Sequence, residues 1–120
     1  MGWFRNWHDT DEAGADPGPL DLPLPPGEAL ARLQAAVRSL PRWRVESSDA
    51  QAGTVTATRR TRLFRFTDDV TIRLEPTASG TRVHVRSQSR VGKGDLGQNR
   101  RNVMELFAAL LPATRAPAQQ

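Results

Sequence analysis

One pair of segments alternates apolar and polar residues on both sides of a single turn, and this pattern constrains the fold most. Apolar residues occupy every second position, with Val70, Ile72 and Leu74 before the turn at 76–80 and Val83 and Val85 after it. Side chains of a β-strand point alternately to its two faces, so each segment predicts a strand with one buried face. The Pro- and Gly-containing turn predicts that the two strands form an antiparallel hairpin.

The same alternation predicts the register of this hairpin. A pairing of Leu74 with Val83 places Val70 opposite Ser87, so the apolar face becomes polar toward one end. The opposite face then carries Asp69, Thr71 and Arg73 beside Gln88, Arg86 and His84. Side chains that are neighbours on one face of a sheet lie roughly 5–7 Å apart, which is close enough for contacts between carboxylates and guanidinium groups.

Helical and strand patterns on either side of the hairpin predict the rest of the fold. Apolar residues at helical spacing predict an amphipathic helix over 27–40, and the stripe of Leu96, Val103, Phe107 and Leu110 predicts a last helix over 96–111. Strands are predicted near 43–46 and over 54–66, 66–75 and 82–90. We therefore predict an α+β two-layer sandwich, in which N- and C-terminal helices cover one face of a four-stranded antiparallel meander.

Composition separates this domain from its ends. Residues 1–26 form a predicted acidic, Pro/Gly-rich N-terminal arm, residues 27–113 a single α+β domain, and residues 114–120 a disordered tail. Six acids and one arginine occur up to Glu28, whereas the remainder has sixteen basic and seven acidic residues. We expect the arm to dock on the open face of the sheet, with its acids near arginines.

Several function classes are excluded by what the sequence lacks. Cysteine is absent, which excludes disulfides and thiolate metal sites. His8 and His84 have no ligand spacing around them, so we predict no metal site and no cofactor. The sequence shows neither a membrane-spanning apolar run nor a signal peptide, which predicts a cytoplasmic protein.

The arginines near the hairpin are the candidate ligand-binding residues. The predicted anion site consists of Arg73 and Arg86 with Arg90 at its rim, beside Asp69 and His84. An arginine fork binds carboxylate or phosphate in a bidentate manner. The alternative interpretation is a solvated sheet face whose charges neutralise one another.

Most other polar residues of this region have predicted structural roles. Asp68 and Asp69 are consecutive in a strand and point to opposite faces, so they form no catalytic pair. Gly92 and Gly97 turn the chain from strand to helix, and Asp95 is the predicted N-cap, with Gln98 completing a capping box. The predicted helix stripe directs Asn99 toward the sheet, where hydrogen bonds to Ser87 and Ser89 would fix the helix.

These residues resemble the motifs of a bacterial family of unknown function, the domain-of-unknown-function family numbered 1499. The resemblance rests on FTDDVTIRLE at 66–75 and RSQSRVGKGDLGQNRR at 86–101. The family usually has arginine where this chain has Asn102. No activity is implied by the resemblance.

The sequence is compatible with three functions. The first is a non-enzymatic binding module that recognises an anionic small molecule, a lipid head group or an acidic protein. The second is nucleic-acid binding through the arginines and phenylalanines of the strand at 58–66. The third is a small enzyme that uses Asp69, His84 and Arg86 for acid-base chemistry.

Overall fold

A computed structural model describes residues 6–61, 66–90 and 97–115 of the chain. These residues contain six strands and two helices. In chain order the elements are β1 (Trp7–Asp9), β2 (Leu20–Leu22), α1 (Pro26–Ser39), β3 (Trp43–Asp49), β4 (Thr54–Arg60), β5 (Thr67–Thr77), β6 (Gly80–Ser89) and α2 (Gln98–Arg115). The predicted α+β class, with an antiparallel sheet and two helices, is confirmed.

The hairpin of β5 and β6 has the predicted register. Val70 lies opposite Ser87, and Leu74 lies opposite Val83. The apolar side chains of this face are buried, whereas Asp69 and Arg73 on the other face are exposed. The alternation therefore fixes which residues reach the core and which reach solvent.

The predicted number of strands is wrong, because the arm adds two strands to the sheet. Strands β3 to β6 form an antiparallel meander, and β1 and β2 both pair antiparallel with β6 along its other edge. Since β1 and β2 precede α1, the helices are not the two terminal elements of a two-layer sandwich. Three-residue strands within a segment rich in Asp, Pro and Gly are too short to show alternation, which is why the sequence did not predict them.

Strand β4 is shorter than the predicted strand, which extended to Phe66. It ends at Arg60, and β5 begins at Thr67. The backbone N–H of Thr61 donates to the carbonyl of Phe66 at 2.8 Å, and the N–H of Phe66 donates to Oγ1 of Thr61 at 2.8 Å. These bonds join the described residues on the two sides of 62–65.

The core forms where both helices contact the inner side chains of the sheet. Leu33 and Val37 of α1 and Leu106 and Leu110 of α2 are fully buried. Pro26 starts α1 at a position where its missing N–H costs no hydrogen bond, and its ring presets the helical φ. Most of the stability of both helices comes from this buried stripe, because isolated helices of this length are marginal in water.

Close backbone contact holds the arm against the edge of β6. Leu22 is 2% exposed, and Oγ1 of Thr81 donates to the carbonyl of Leu24 at 2.8 Å. Gly80 has a φ of +155°, and a Cβ at this position would lie 2.1 Å from the carbonyl oxygen of Leu22. A residue without a side chain is therefore required where β2 crosses the start of β6.

Candidate functional site

The outer face of the β5–β6 hairpin carries a row of cationic side chains. Arg73 lies opposite His84, and Thr71 lies opposite Arg86. Arg82 occupies the same face of β6 one alternation earlier. We refer to Arg73, Arg82, His84 and Arg86 as the cation row.

The arm places carboxylates against the cation row. Asp9 Oδ2 lies 3.2 Å from Arg86 Nη1, and Asp11 Oδ2 lies 3.4 Å from Arg73 Nη2. Asp21 accepts two hydrogen bonds from Arg82, at 2.7 Å from Nε and 3.3 Å from Nη2. The arm thus contacts every arginine of the row with one aspartate each.

His84 also contacts a carboxylate of the arm. Its Nδ1 lies 2.6 Å from Asp11 Oδ1 and its Nε2 lies 2.7 Å from Glu75 Oε1. An imidazolium can donate to both carboxylates at once, whereas a neutral ring has a single N–H. The two ring contacts link Asp11 of the arm to Glu75 of β5 through β6.

The pKa values of the contacting carboxyls reflect these partners. Desolvation raises the pKa of Asp11, but the hydrogen bond and charge of His84, with the charge of Arg73, outweigh it and leave the pKa lowered. The hydrogen bond from His84 lowers the pKa of Glu75, and the hydrogen bond from Arg82 lowers the pKa of Asp21. Each of these carboxyls is therefore held in its charged form.

Arg90, the third predicted ligand-binding arginine, is engaged elsewhere. Its Nε and Nη2 each donate to a carboxylate oxygen of Asp69 at 2.9 Å. The hydrogen bond and charge of Asp69 raise the pKa of Arg90 above its ordinary value. Arg90 and Asp69 form a bidentate pair, so the structure does not bring Arg90 together with Arg73 and Arg86 on one ligand.

A buried polar network lies on the inner face of the sheet, between α2 and the β5–β6 hairpin. Asn102 donates from Nδ2 to Asp68 Oδ2 at 2.8 Å and to Ser87 Oγ at 3.1 Å. Ser87 in turn donates to Asn99 Oδ1 at 2.6 Å, and Asn99 donates from Nδ2 to Ser89 Oγ at 2.8 Å. These bonds hold α2 on β6, and they offset the cost of burying polar groups.

Asn6, the first described residue of the arm, also joins this network. Asn99 Nδ2 donates to the carbonyl of Asn6 at 2.9 Å, and the backbone N–H of Ser89 donates to the same carbonyl at 2.8 Å.

Asp68 is 1% exposed, whereas Asp69 is exposed on the outer face. The two aspartates thus lie on opposite faces of the sheet and cannot share a proton.

Part of the strand predicted to bind nucleic acid packs into the protein interior. Arg59 is 8% exposed, and its Nε lies 3.1 Å from Glu105 Oε1. Trp43 Nε1 donates to the same oxygen at 2.7 Å. Arg60 and Phe66 are exposed, and the remaining arginines and phenylalanine of this motif, at 62–65, lie outside the described residues. Arg59 is therefore largely buried and held in an ion pair with α2.

The sequence profile described as "Protein of unknown function (DUF1499)" matches residues 7–110. The chain belongs to the DUF1499 family. No match was found among curated proteins. A structural-genomics crystal structure of a Chromobacterium violaceum protein is similar with a TM-score of 0.49 and 14% sequence identity, over 80% of this chain and 94% of that one.

The DUF1499 motif residues occupy two different environments. Asp68, Ser87 and Asn99 belong to the buried network, whereas Arg73 and Arg86 belong to the cation row. Gly97 has a φ of +83° immediately before α2, and its carbonyl accepts from the N–H of Arg101 at 3.0 Å. The predicted roles of Gly92 and Asp95 fall outside the described residues.

Sequence reasoning did not identify the arm aspartates of this DUF1499 protein as individual partners. The signal that pointed to them was the acidic arm next to a basic domain, which indicates attraction but gives no register. The arm also places Trp7 near Arg86, with the guanidinium carbon 5.8 Å from the ring centroid. Within the described residues, no helix is long and apolar enough to cross a lipid bilayer.

Proposed function

We propose that this DUF1499 protein is a non-enzymatic binding module whose cation row recognises the carboxylates of an acidic, extended segment of a partner protein. The observation that carries the proposal is the arm itself, whose aspartates match the arginines of the row one to one. Asp9 and Asp21 reach the row from two strands that add to the edge of β6, and Asp11 reaches it from the turn that follows β1. The arm thus has the features expected of a ligand bound within its own chain.

The mode of recognition is strand addition combined with charge pairing. In strand addition, main-chain hydrogen bonds to a sheet edge supply affinity, and alternate side chains supply specificity. Asp9 lies opposite Arg86 in the β1 pairing, and Asp21 lies opposite Arg82 in the β2 pairing. An acidic residue at every second position of a partner strand would meet the same cations.

The ion pairs of the arm are weak enough to exchange. The side chains of Arg73, Arg82 and Arg86 are each about half exposed, and the paired aspartates are also accessible to solvent. Exposed ion pairs of this kind contribute little to stability, because water and salt screen the charges. A partner segment with better-placed carboxylates could therefore replace the aspartates of the arm.

The test is a binding measurement with a labelled peptide that carries residues 6–24 of the chain. Its fluorescence anisotropy is measured with the full-length wild type and with a full-length variant that combines Asp9→Asn, Asp11→Asn and Asp21→Asn. The variant keeps the arm but weakens it as a competitor, so we expect the peptide to bind the variant at least about tenfold more tightly than the wild type. Added salt should weaken this binding.

Two controls separate recognition from nonspecific attraction. A peptide with the same three aspartates replaced by asparagine should lose the binding, and Arg86→Gln in the neutralised variant should weaken it. Binding of both peptides with equal affinity would contradict the role of the carboxylates. Absence of binding to the neutralised variant would mean that the arm is a permanent part of the sheet and would refute the proposed function.

A further inference from the structure

A second group of arginines lines a cleft of about 410 Å³ on the β3–β4 side of the sheet. The described residues lining it are Arg42, Trp43, Arg44, Glu46, Thr58, Arg60, Thr67 and Arg90. They include four arginines but a single carboxylate. The volume falls within the range of small-molecule sites, roughly 300–1,000 Å³.

Two of these arginines have no carboxylate partner among the described residues. Arg90 is paired with Asp69, and Arg44 lies 4.0 Å from Glu46, the outer limit of an ion pair. Glu46 also accepts a hydrogen bond from Thr58 at 2.8 Å. Neither Arg42 nor Arg60 forms an ion pair within residues 6–61, 66–90 and 97–115, although both are exposed and line the cleft.

The backbone places Arg42 in this position at an energetic cost. Its φ is +70°, a left-handed conformation that L residues with a Cβ rarely adopt. The carbonyl of Arg42 accepts from the backbone N–H of Arg60 at 2.9 Å, so the two arginines are held as neighbours at the end of the β3–β4 ladder. Strained residues of this kind occur preferentially at ligand-binding sites.

We infer that this cleft binds a phosphate monoester of a small molecule. A carboxylate is saturated by one bidentate guanidinium, whereas a phosphate offers three terminal oxygens and close to two negative charges. Arg42 and Arg60, with the loosely paired Arg44, provide the excess of guanidinium donors that such a dianion requires. The site shares no residue with the cation row, so the inference does not depend on the proposed function.

The experiment is isothermal titration of the full-length protein with phosphoserine, inorganic phosphate and a short oligothymidylate. We expect phosphoserine to bind the wild type, and its affinity to fall at least about tenfold in Arg42→Gln and in Arg60→Gln. Arg32→Gln removes the same charge from an exposed position on α1 outside the cleft, and its affinity should stay within about twofold of the wild type. Equal losses in Arg32→Gln and Arg60→Gln would reduce the effect to net charge and overturn the site.

A glycine variant keeps the test interpretable if the glutamine variants fold poorly. Arg42→Gly removes the guanidinium and also relieves the left-handed strain, so it should raise the melting temperature while weakening phosphoserine binding. Undiminished binding by Arg42→Gly would refute the assignment. Binding of oligothymidylate without binding of phosphoserine would overturn the small-molecule ligand and indicate a nucleic-acid phosphodiester instead.

Discussion

The contact between Gly80 and the arm leads to the sharpest prediction about stability. Replacing Gly80 with alanine places a Cβ 2.1 Å from the carbonyl oxygen of Leu22 and 3.0 Å from the backbone nitrogen of Leu24. The first distance is more than about 1 Å shorter than an ordinary contact between non-bonded heavy atoms. Both neighbouring atoms belong to the backbone, so rotation of a side chain cannot relieve the clash, and β2 must move away from β6.

The expected cost has three parts. The φ of Gly80 lies in a region that is essentially restricted to glycine, and other residues lose roughly 1–3 kcal/mol there. Displacement of β2 uncovers part of Leu22, whose complete burial is worth roughly 1.5–3 kcal/mol. It also weakens the hydrogen bond from Thr81 to Leu24, which contributes roughly 0.5–1.5 kcal/mol. We therefore expect Gly80→Ala to lower the free energy of unfolding by about 3 kcal/mol.

A matched glycine in the arm, Gly14, separates the effect of the clash from the effect of the backbone conformation. Gly14 also has a positive φ, +76°, but a Cβ at Gly14 would meet nothing within 4 Å. Gly14→Ala should therefore cost only about 1 kcal/mol, the strain of the left-handed conformation. Urea denaturation followed by circular dichroism gives both values. If Gly80→Ala is no more destabilising than Gly14→Ala, the close packing of β2 on β6 is refuted.

Two further predictions concern the buried network and the arm. Asn99→Ala should lower the free energy of unfolding by about 2–3 kcal/mol, because the buried Ser87 loses the acceptor of its hydroxyl, and Ser89 and the carbonyl of Asn6 lose a donor; a loss below about 1 kcal/mol in urea denaturation would contradict this. His84→Gln should destabilise the protein at pH 5.5, and the difference from wild type should shrink as the pH is lowered to about 2.5. The sign follows from the lowered pKa values of Asp11 and Glu75, since stability held by such carboxyls is present above their ordinary pKa values and is lost as the pH falls through the folded ones; a difference that stays constant over this range would be the contrary result.

The sequence predicted those parts of the fold that rest on alternation over many residues. The register of β5 against β6 followed from apolar residues at every second position, because a shift by one residue would expose the entire apolar face. The face on which Arg73, His84 and Arg86 lie followed from the same argument. Alternation alone was therefore sufficient to place these three side chains next to one another.

The partners of these residues could not be predicted in the same way. Strands β1 and β2 have three residues each, and nothing in so short a segment distinguishes a strand from an extended loop. Asp9 and Asp11 thus had no register, although their charge indicated attraction to the arginines. The burial of Arg59 was also missed, because it depends on Glu105 from a helix 46 residues away in sequence.

Asn102 illustrates how a single position can change the chemistry of the inner face. The resemblance to the DUF1499 family implies an arginine here, whereas this chain has a buried amide that donates to Asp68. Periodicity did not identify this contact, because Asp68 and Asn102 are 34 residues apart and neither is apolar. Long-range polar pairs leave no local pattern in a sequence.

The arm has a consequence for the kinetics of any exchange at β6. This strand has ten residues, and the arm pairs with six of them, Thr81–Val83 and Arg86–Gln88. A protein that released its arm into solvent would expose a long row of unpaired amides and carbonyls, which invites edge-to-edge association. Replacement should therefore proceed one segment at a time, with an incoming strand taking the place of β1 on β6 while β2 is still attached, or the reverse. In this stepwise exchange, the rate rises with the concentration of the incoming segment. If the arm had to leave first, the rate could not exceed the rate at which the arm is released.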